Sequence, residues 1–108
     1  MPTYNKLVRD RIPQIIAATG KTCRSRILDT NEYRLALHSK LREEIEEYFK
    51  SGNDQEALEE LADILEIIRA LTEEHGASWE NLENMRMDKA EKRGGFKGKV
   101  YLIDVDDN

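Results

Sequence analysis

The sequence predicts a mainly α-helical fold, an antiparallel helical bundle with a small β accessory. Two long segments, residues 30–50 and 54–75, repeat apolar side chains at helical spacing, and a Gly-Asn-Asp turn joins them. Two short segments, residues 22–28 and 100–103, have the composition of strands. Only 39% of the 108 residues are hydrophobic, so we expect one domain over residues 1–108, whose modest core a homodimer would complete.

The first elements are short. Residues 6–13 read as an extended segment, and Pro13 suits the first turn of a helix that ends at Gly20. Residues 22–28 alternate weakly between apolar and polar side chains, which indicates a strand.

The two central helices carry the clearest signals. The first begins near Asp29 or Thr30 and runs to Lys50. The second follows residues 52–54 and stops at Gly76. Its apolar side chains cover more than half of its circumference, so it must be buried on several sides. A short connection makes the two helices antiparallel neighbours.

A fourth helix is expected to begin at Ser78 and to end at Gly94. It would turn Trp79, Leu82 and Met85 inward. The apolar residues 100–103 that follow would form a strand pairing with residues 22–28.

Composition and charge exclude several kinds of protein. No apolar run is long enough for a transmembrane helix, the N-terminus does not resemble a signal peptide, and the single cysteine, Cys23, cannot form an internal disulfide. We therefore expect a cytoplasmic protein. Residues 1–27 hold six bases and one acid, whereas residues 28–80 hold fifteen acids and five bases. Basic ends around an acidic centre do not suit a nucleic-acid polymer but would suit a cation and a phosphate-bearing small molecule.

Carboxylates lie on the apolar faces of both central helices. At 100° per residue, Glu44 lies within about 20° of Leu37 on the apolar stripe of the first of them. Glu60 lies within about 20° of Leu71 on the second. Each acid has a partner three residues later, Glu47 and Asp63 respectively.

Burying such carboxylates is costly unless a cation neutralises them. Lys40, one turn before Glu44, could neutralise one of them. Mg²⁺, or alternatively Mn²⁺, could neutralise more, because both prefer oxygen ligands in octahedral geometry. We accept a purely solvated surface role for six other acids: Glu46, Glu56, Glu59, Glu66, Glu73 and Glu74.

The acidic pattern, Glu43-Glu44-x-x-Glu47 followed after twelve residues by Glu60-x-x-Asp63, resembles the signature of the MazG-like, all-α nucleoside triphosphate pyrophosphohydrolases. Three further segments are similar to one predicted house-cleaning branch, labelled phosphoribosyl-ATP pyrophosphohydrolase-like. They are the sequences YNKLVRDRIP at 4–13, KLREE at 40–44 and RGGF at 93–96. The resemblance covers nearly the whole chain.

The resemblance implies a Mg²⁺-dependent attack of water at the α-phosphorus of a nucleotide, which releases a monophosphate and pyrophosphate. It implies four metal ligands: Glu44, Glu47, Glu60 and Asp63. It also implies three catalytic acids, Glu43, Glu44 and Glu47, of which Glu43 would support the ligands or hold an additional metal.

Phosphate oxygens also need cationic donors from the protein. We expect substrate binding by five residues: Lys6, Arg9, Arg11, Lys40 and Arg93. The backbone N–H groups of Gly94 and Gly95 could approach a phosphate too, although an ordinary helix stop explains the pair equally well. Trp79 is better explained as a core residue than as a platform for a base.

Two alternatives stay open. The first is true phosphoribosyl-ATP hydrolysis in histidine biosynthesis, which ranks lower because the LVRDR segment is similar to the house-cleaning branch. The second is a non-catalytic nucleotide- or metal-binding helical module, which would not need acid pairs on both helices.

Overall fold

A computed structural model describes residues 3–107 of the chain. Its helices, in chain order, are α1 (Ile12–Ala18), α2 (Thr30–Lys50), α3 (Asp54–Glu74) and α4 (Trp79–Arg93). α2 and α3 form an antiparallel pair, and the beginning of α4 packs against the C-terminal half of α3. The predicted helical bundle is confirmed.

Local sequence signals set the helix ends. Asp29 caps α2 by accepting a 2.8 Å hydrogen bond from the Glu32 backbone N–H, and the Glu32 carboxylate accepts one in return from the Asp29 N–H. Asn53 caps α3, and Ser78 caps α4 as the sequence predicts. At the other end of α3, Gly76 adopts a φ of 78°, a left-handed conformation that stops the helix.

The antiparallel register of α2 and α3 is fixed at the end far from their connecting turn. Arg34 of α2 lies 3.3 Å from the carboxylate of Glu74 on α3, and also donates to the Glu74 backbone carbonyl. The apolar contact between the helices centres on Leu37 and Ile67, which are 3% and 8% exposed. This register brings the middle of α2, around Glu44, opposite Glu60 on α3.

The predicted β accessory is wrong for the part of the chain that the structure describes, which contains no strand. Residues 22–28 and 100–103 lie outside the helices and do not pair through their backbones. Ile27 is 95% exposed and Tyr101 is 89% exposed, so neither segment finds the packed face that would stabilise a strand.

The chain exposes far more surface than a compact protein of its size. Its accessible area is 10126 Å², against about 6,200 Å² expected for a folded 12.5 kDa monomer. Its radius of gyration is 18.8 Å, against roughly 13 Å. Many large apolar side chains are exposed. Leu58, Leu61 and Leu65 form an exposed stripe on α3, 44% to 60% exposed, which we call the leucine stripe.

Met85 of α4, predicted to turn inward, lines an apolar groove with Leu82 and with Ile68 and Leu71 of α3, but it is still 59% exposed. None of the helices among residues 3–107 combines the length and the apolar character that crossing a bilayer demands.

Candidate metal centre

Three of the four predicted ligands come together between α2 and α3. One carboxylate oxygen from each of Glu44, Glu60 and Asp63 lies within 4.8 Å of the others. All three residues are half-buried. Glu44 comes from α2, whereas Glu60 and Asp63 lie one turn apart on α3, so the antiparallel register is what assembles the group. We call these three residues the acid cluster.

Glu60 is the member of the acid cluster whose pKa is clearly raised by its surroundings. Its Oε2 atom is buried and has no hydrogen-bond partner among residues 3–107. The pKa of Glu60 is raised to about 7, first by a hydrogen bond with the Glu44 carboxyl, which requires a shared proton, and then by desolvation. The charges of Glu44, Asp63 and Glu47 raise this pKa further. A bound cation would relieve the same repulsion between carboxylates that raises this pKa.

The fourth predicted ligand, Glu47, lies outside the group of converging oxygens. Its side chain is exposed on the next turn of α2, yet its charge still raises the pKa of Glu60, so it lies close by. Its role as a metal ligand stays a prediction.

Basic side chains already partner the acid cluster. Lys40 Nζ lies 3.6 Å from Glu44 and 3.7 Å from Glu43. Arg9 Nη2 donates a 2.6 Å hydrogen bond to Asp63 Oδ1, across 54 positions of sequence. These cations partly neutralise Glu44 and Asp63, whereas Glu60 has no ion pair with the basic side chains that the structure describes.

Glu43 is exposed and turned toward lysines rather than toward the cluster. Besides Lys40, it pairs with Lys6 at 3.8 Å. Glu43 is not one of the three converging residues, and its supporting role stays a prediction.

Three of the five predicted substrate-binding residues therefore lie at the acid cluster or beside it: Lys6, Arg9 and Lys40. The other two do not. Among residues 3–107, neither Arg11, which precedes α1, nor Arg93, in the last turn of α4, pairs with an acid of the cluster. The Gly94 N–H donates to the Ala90 carbonyl at 2.8 Å, which supports the helix-stop explanation.

A cleft opens beside the cluster on the outer side of α3. Its volume is about 390 Å³, and it is lined by six residues: Arg9, Ala62, Leu65, Glu66, Arg69 and Trp79. The Arg69 guanidinium lies 5.7 Å from the centre of the Trp79 ring. Arg9 belongs to both places, since it lines the cleft and bonds to Asp63.

Sequence reasoning missed this cleft. It assigned Glu66 to the solvated surface and Trp79 to the core, and it did not single out Arg69. A signal was present, because Arg69 is the sole basic residue of an otherwise acidic α3 and follows Glu66 by three positions. Another surface acid also differs from expectation, since Glu74 is half-buried against Arg34.

Comparisons with known proteins add one partial relative. An uncharacterized protein of Mycolicibacterium smegmatis is 46% identical to this chain over 54 residues, which are 50% of this chain and 55% of that protein. The chain thus matches about half of that relative's length. No protein-family profile and no solved structure matches the chain.

Proposed function

We propose that the protein is a metal-dependent nucleoside triphosphate pyrophosphohydrolase of the MazG-like type. The observation that carries this proposal is the acid cluster, in which three carboxylate oxygens from two helices converge within 4.8 Å. The buried, unpartnered Oε2 of Glu60 supports a cation, because a buried carboxylate oxygen without a donor is otherwise costly.

The residues present fit Mg²⁺, with Mn²⁺ as an alternative. Both are hard cations that take oxygen ligands, and three carboxylates leave positions for water and phosphate oxygens. Glu44, Glu60 and Asp63 would hold the ion. When bound, it would offset the negative charge of the phosphates and lower the pKa of a water molecule.

The protein's own residues would perform the remaining tasks. Lys40, Lys6 and Arg9 already lie beside the acids and would donate to phosphate oxygens of the substrate. Glu47, exposed next to the cluster, would accept the proton of the attacking water. Water oxygen would bond to the α-phosphorus, the bond to the bridging oxygen would break, and pyrophosphate would leave.

We further propose that two chains form a homodimer. The leucine stripe is exposed on one long helix, and the accessible area exceeds the expected value by more than half. An apolar surface of this kind on a small domain is typical of an interface between identical subunits. A second copy would bury the stripe at Leu58 and Leu61 and complete the core, with Leu65, which also lines the cleft, at the edge of the interface.

We also propose a cytoplasmic location and no polymeric nucleic-acid partner. Cys23, the one cysteine, is a free and exposed thiol, which suits a reducing compartment. The basic residues near the acid cluster are few and lie between acids, so they do not form the continuous basic face that a polymer needs.

The test is pyrophosphate release from standard and damaged nucleoside triphosphates and from phosphoribosyl-ATP, with Mg²⁺, Mn²⁺ or EDTA. We expect metal-dependent release from at least one nucleoside triphosphate. Preferred release from phosphoribosyl-ATP would favour the histidine-biosynthesis alternative. Tight nucleotide binding without any turnover would reject an enzyme and favour the binding module.

Two variants locate the activity. Glu44→Gln and Glu60→Gln should each lower kcat/KM by more than about a hundredfold, because each removes a charged ligand. Glu46→Gln is the control for both variants, since Glu46 is an exposed acid of α2 that does not belong to the acid cluster. Equal activity in Glu60→Gln and Glu46→Gln would contradict the assignment of the site.

A further inference from the structure

We infer that the cleft between α3 and the start of α4 is a binding site for a nucleobase, and that guanine fits it best. This inference rests on the proposed function, because it assigns the base to one side of Arg9 and the phosphates to the other. The link is the position of Arg9, which lines the cleft and also bonds to Asp63 of the acid cluster.

The size and the lining of the cleft suit a planar group. Its volume of about 390 Å³ lies in the range of small-molecule sites. Trp79 is half-buried and supplies an aromatic ring, while Ala62 and Leu65 supply an apolar wall. A base stacks favourably on such a ring.

The Arg69 guanidinium already lies near the Trp79 ring at 5.7 Å from its centre. Like a nucleobase, a guanidinium is planar and stacks on aromatic faces. Arg69 can therefore either move aside to contact the edge of a base or cover its outer face.

The polar groups that line the cleft would determine which nucleobase binds most tightly. Glu66, as a carboxylate, accepts two hydrogen bonds, and guanine presents N1–H and the N2 amino group side by side. Arg69 donates, and guanine carries acceptors at O6 and N7, a pair that arginine contacts in bidentate fashion. Adenine has no ring N–H beside its amino group, so it would leave part of the Glu66 carboxylate unsatisfied.

The chain carries its own probe, because Trp79 is its single tryptophan. The experiment follows Trp79 fluorescence in the full-length protein while guanosine 5′-monophosphate is added in the presence of EDTA, where no turnover occurs. Adenosine 5′-monophosphate and ribose 5-phosphate are titrated in parallel. The first has a different base edge, and the second has the sugar and phosphate without a base.

We expect saturable quenching by guanosine 5′-monophosphate, weaker binding of the adenosine compound and no response to ribose 5-phosphate. Arg69→Gln should weaken guanosine monophosphate binding by about tenfold. Arg86→Gln is the matched control, because Arg86 pairs with Glu83 on α4, and neither residue lines the cleft. It should bind as the wild type does.

Three results would overturn the inference: no quenching by guanosine monophosphate, equal quenching by ribose 5-phosphate, or wild-type affinity in Arg69→Gln. Equal affinity for the adenosine compound would overturn the choice of guanine. Failure of this inference can be distinguished from failure of the proposed function. Pyrophosphate release with wild-type binding in Arg69→Gln would reject the cleft alone, whereas base binding without any metal-dependent release would reject the enzyme alone.

Discussion

Arg9 and Asp63 are joined by a 2.6 Å hydrogen bond between a guanidinium nitrogen and a carboxylate oxygen. This contact holds the N-terminal segment, which lies outside the helices, against α3. It also gives Asp63 a cationic partner, so a metal ion bound there would compete with Arg9 for the same carboxylate. If Arg9 leaves Asp63 when a metal binds, its guanidinium becomes available to a phosphate.

Removal of Arg9 tests this competition. Arg9→Gln should tighten Mg²⁺ binding by about two- to fivefold, a modest gain because the pair is exposed to solvent. The same variant should raise KM for the nucleotide. Both effects are measurable, the first by calorimetric titration and the second by steady-state kinetics.

Arg11→Gln is the matched control for Arg9→Gln, since Arg11 is a neighbouring arginine that does not pair with the acid cluster. Its Mg²⁺ affinity should equal that of the wild type. Weaker Mg²⁺ binding in Arg9→Gln would show that Arg9 supports the metal site rather than competing for it.

The raised pKa of Glu60 makes the stability of the metal-free protein depend on pH. The folded state holds this proton up to a pH of about 7, whereas the unfolded chain releases it near the ordinary pKa of 4.5. Below pH 4.5 the carboxyl is protonated in both states and no penalty exists. As the pH rises from 4.5 to 7, the unfolded chain ionises first, so the folded state loses stability.

Urea unfolding in EDTA at several pH values between 4.5 and 7.5 measures this loss. The wild type should become less stable than Glu60→Gln as the pH rises, and Mg²⁺ should reduce the difference. Glu32, whose pKa is lowered to about 2 by its hydrogen bonds with Arg26 and with the Asp29 backbone, titrates below this window. If the free energy of unfolding changed with pH equally in the wild type and in Glu60→Gln, the raised pKa of Glu60 would be contradicted.

The leucine stripe should control the oligomeric state. Leu58→Asp places a charge on a surface that a second chain would cover. Desolvating that charge costs on the order of several kcal/mol per subunit. Light scattering after size-exclusion chromatography should give about 25 kDa for the wild-type dimer and the monomer mass of 12.5 kDa for the variant.

Leu102→Asp serves as the control, because Leu102 is equally apolar and 75% exposed but lies beyond α4. It should not change the mass. A wild-type protein that is monomeric and unfolds cooperatively would reject the dimer.

The cap of α2 should contribute measurably to stability. Asp29→Ala removes the acceptor of the 2.8 Å bond from the Glu32 N–H, so the free energy of unfolding should fall by about 1 kcal/mol. Asn31→Ala changes an exposed residue of the same turn that does not cap the helix, and it should cost much less. Equal losses in the two variants would contradict the capping role.

The helices could be predicted from the sequence because local chemistry fixes their ends. Asp29, Asn53 and Ser78 cap the helices as their sequences indicate, and Gly76 ends α3. The acid cluster could be predicted as well, since helical spacing places Glu44 and Glu60 on apolar faces and a short turn makes those faces meet.

The strands could not be predicted reliably, because a strand depends on a partner strand and a packed face that are often distant in sequence. The apolar content of residues 100–103 indicates a strand wherever those residues lie, but here Tyr101 and its neighbours are exposed. The cleft was missed for a similar reason. Trp79 and Arg69 come from different helices, and only the packing of α4 against α3 brings them together.

The central claim is that Glu44, Glu60 and Asp63 hold a divalent cation. Calorimetric titration of the metal-free protein with Mg²⁺ tests it most directly, using the wild type, Glu60→Gln and the control Glu46→Gln. We predict saturable binding to the wild type and to Glu46→Gln, and binding weakened by at least about tenfold in Glu60→Gln. Identical Mg²⁺ binding by Glu60→Gln and Glu46→Gln, or no binding to the folded wild type, would contradict the claim.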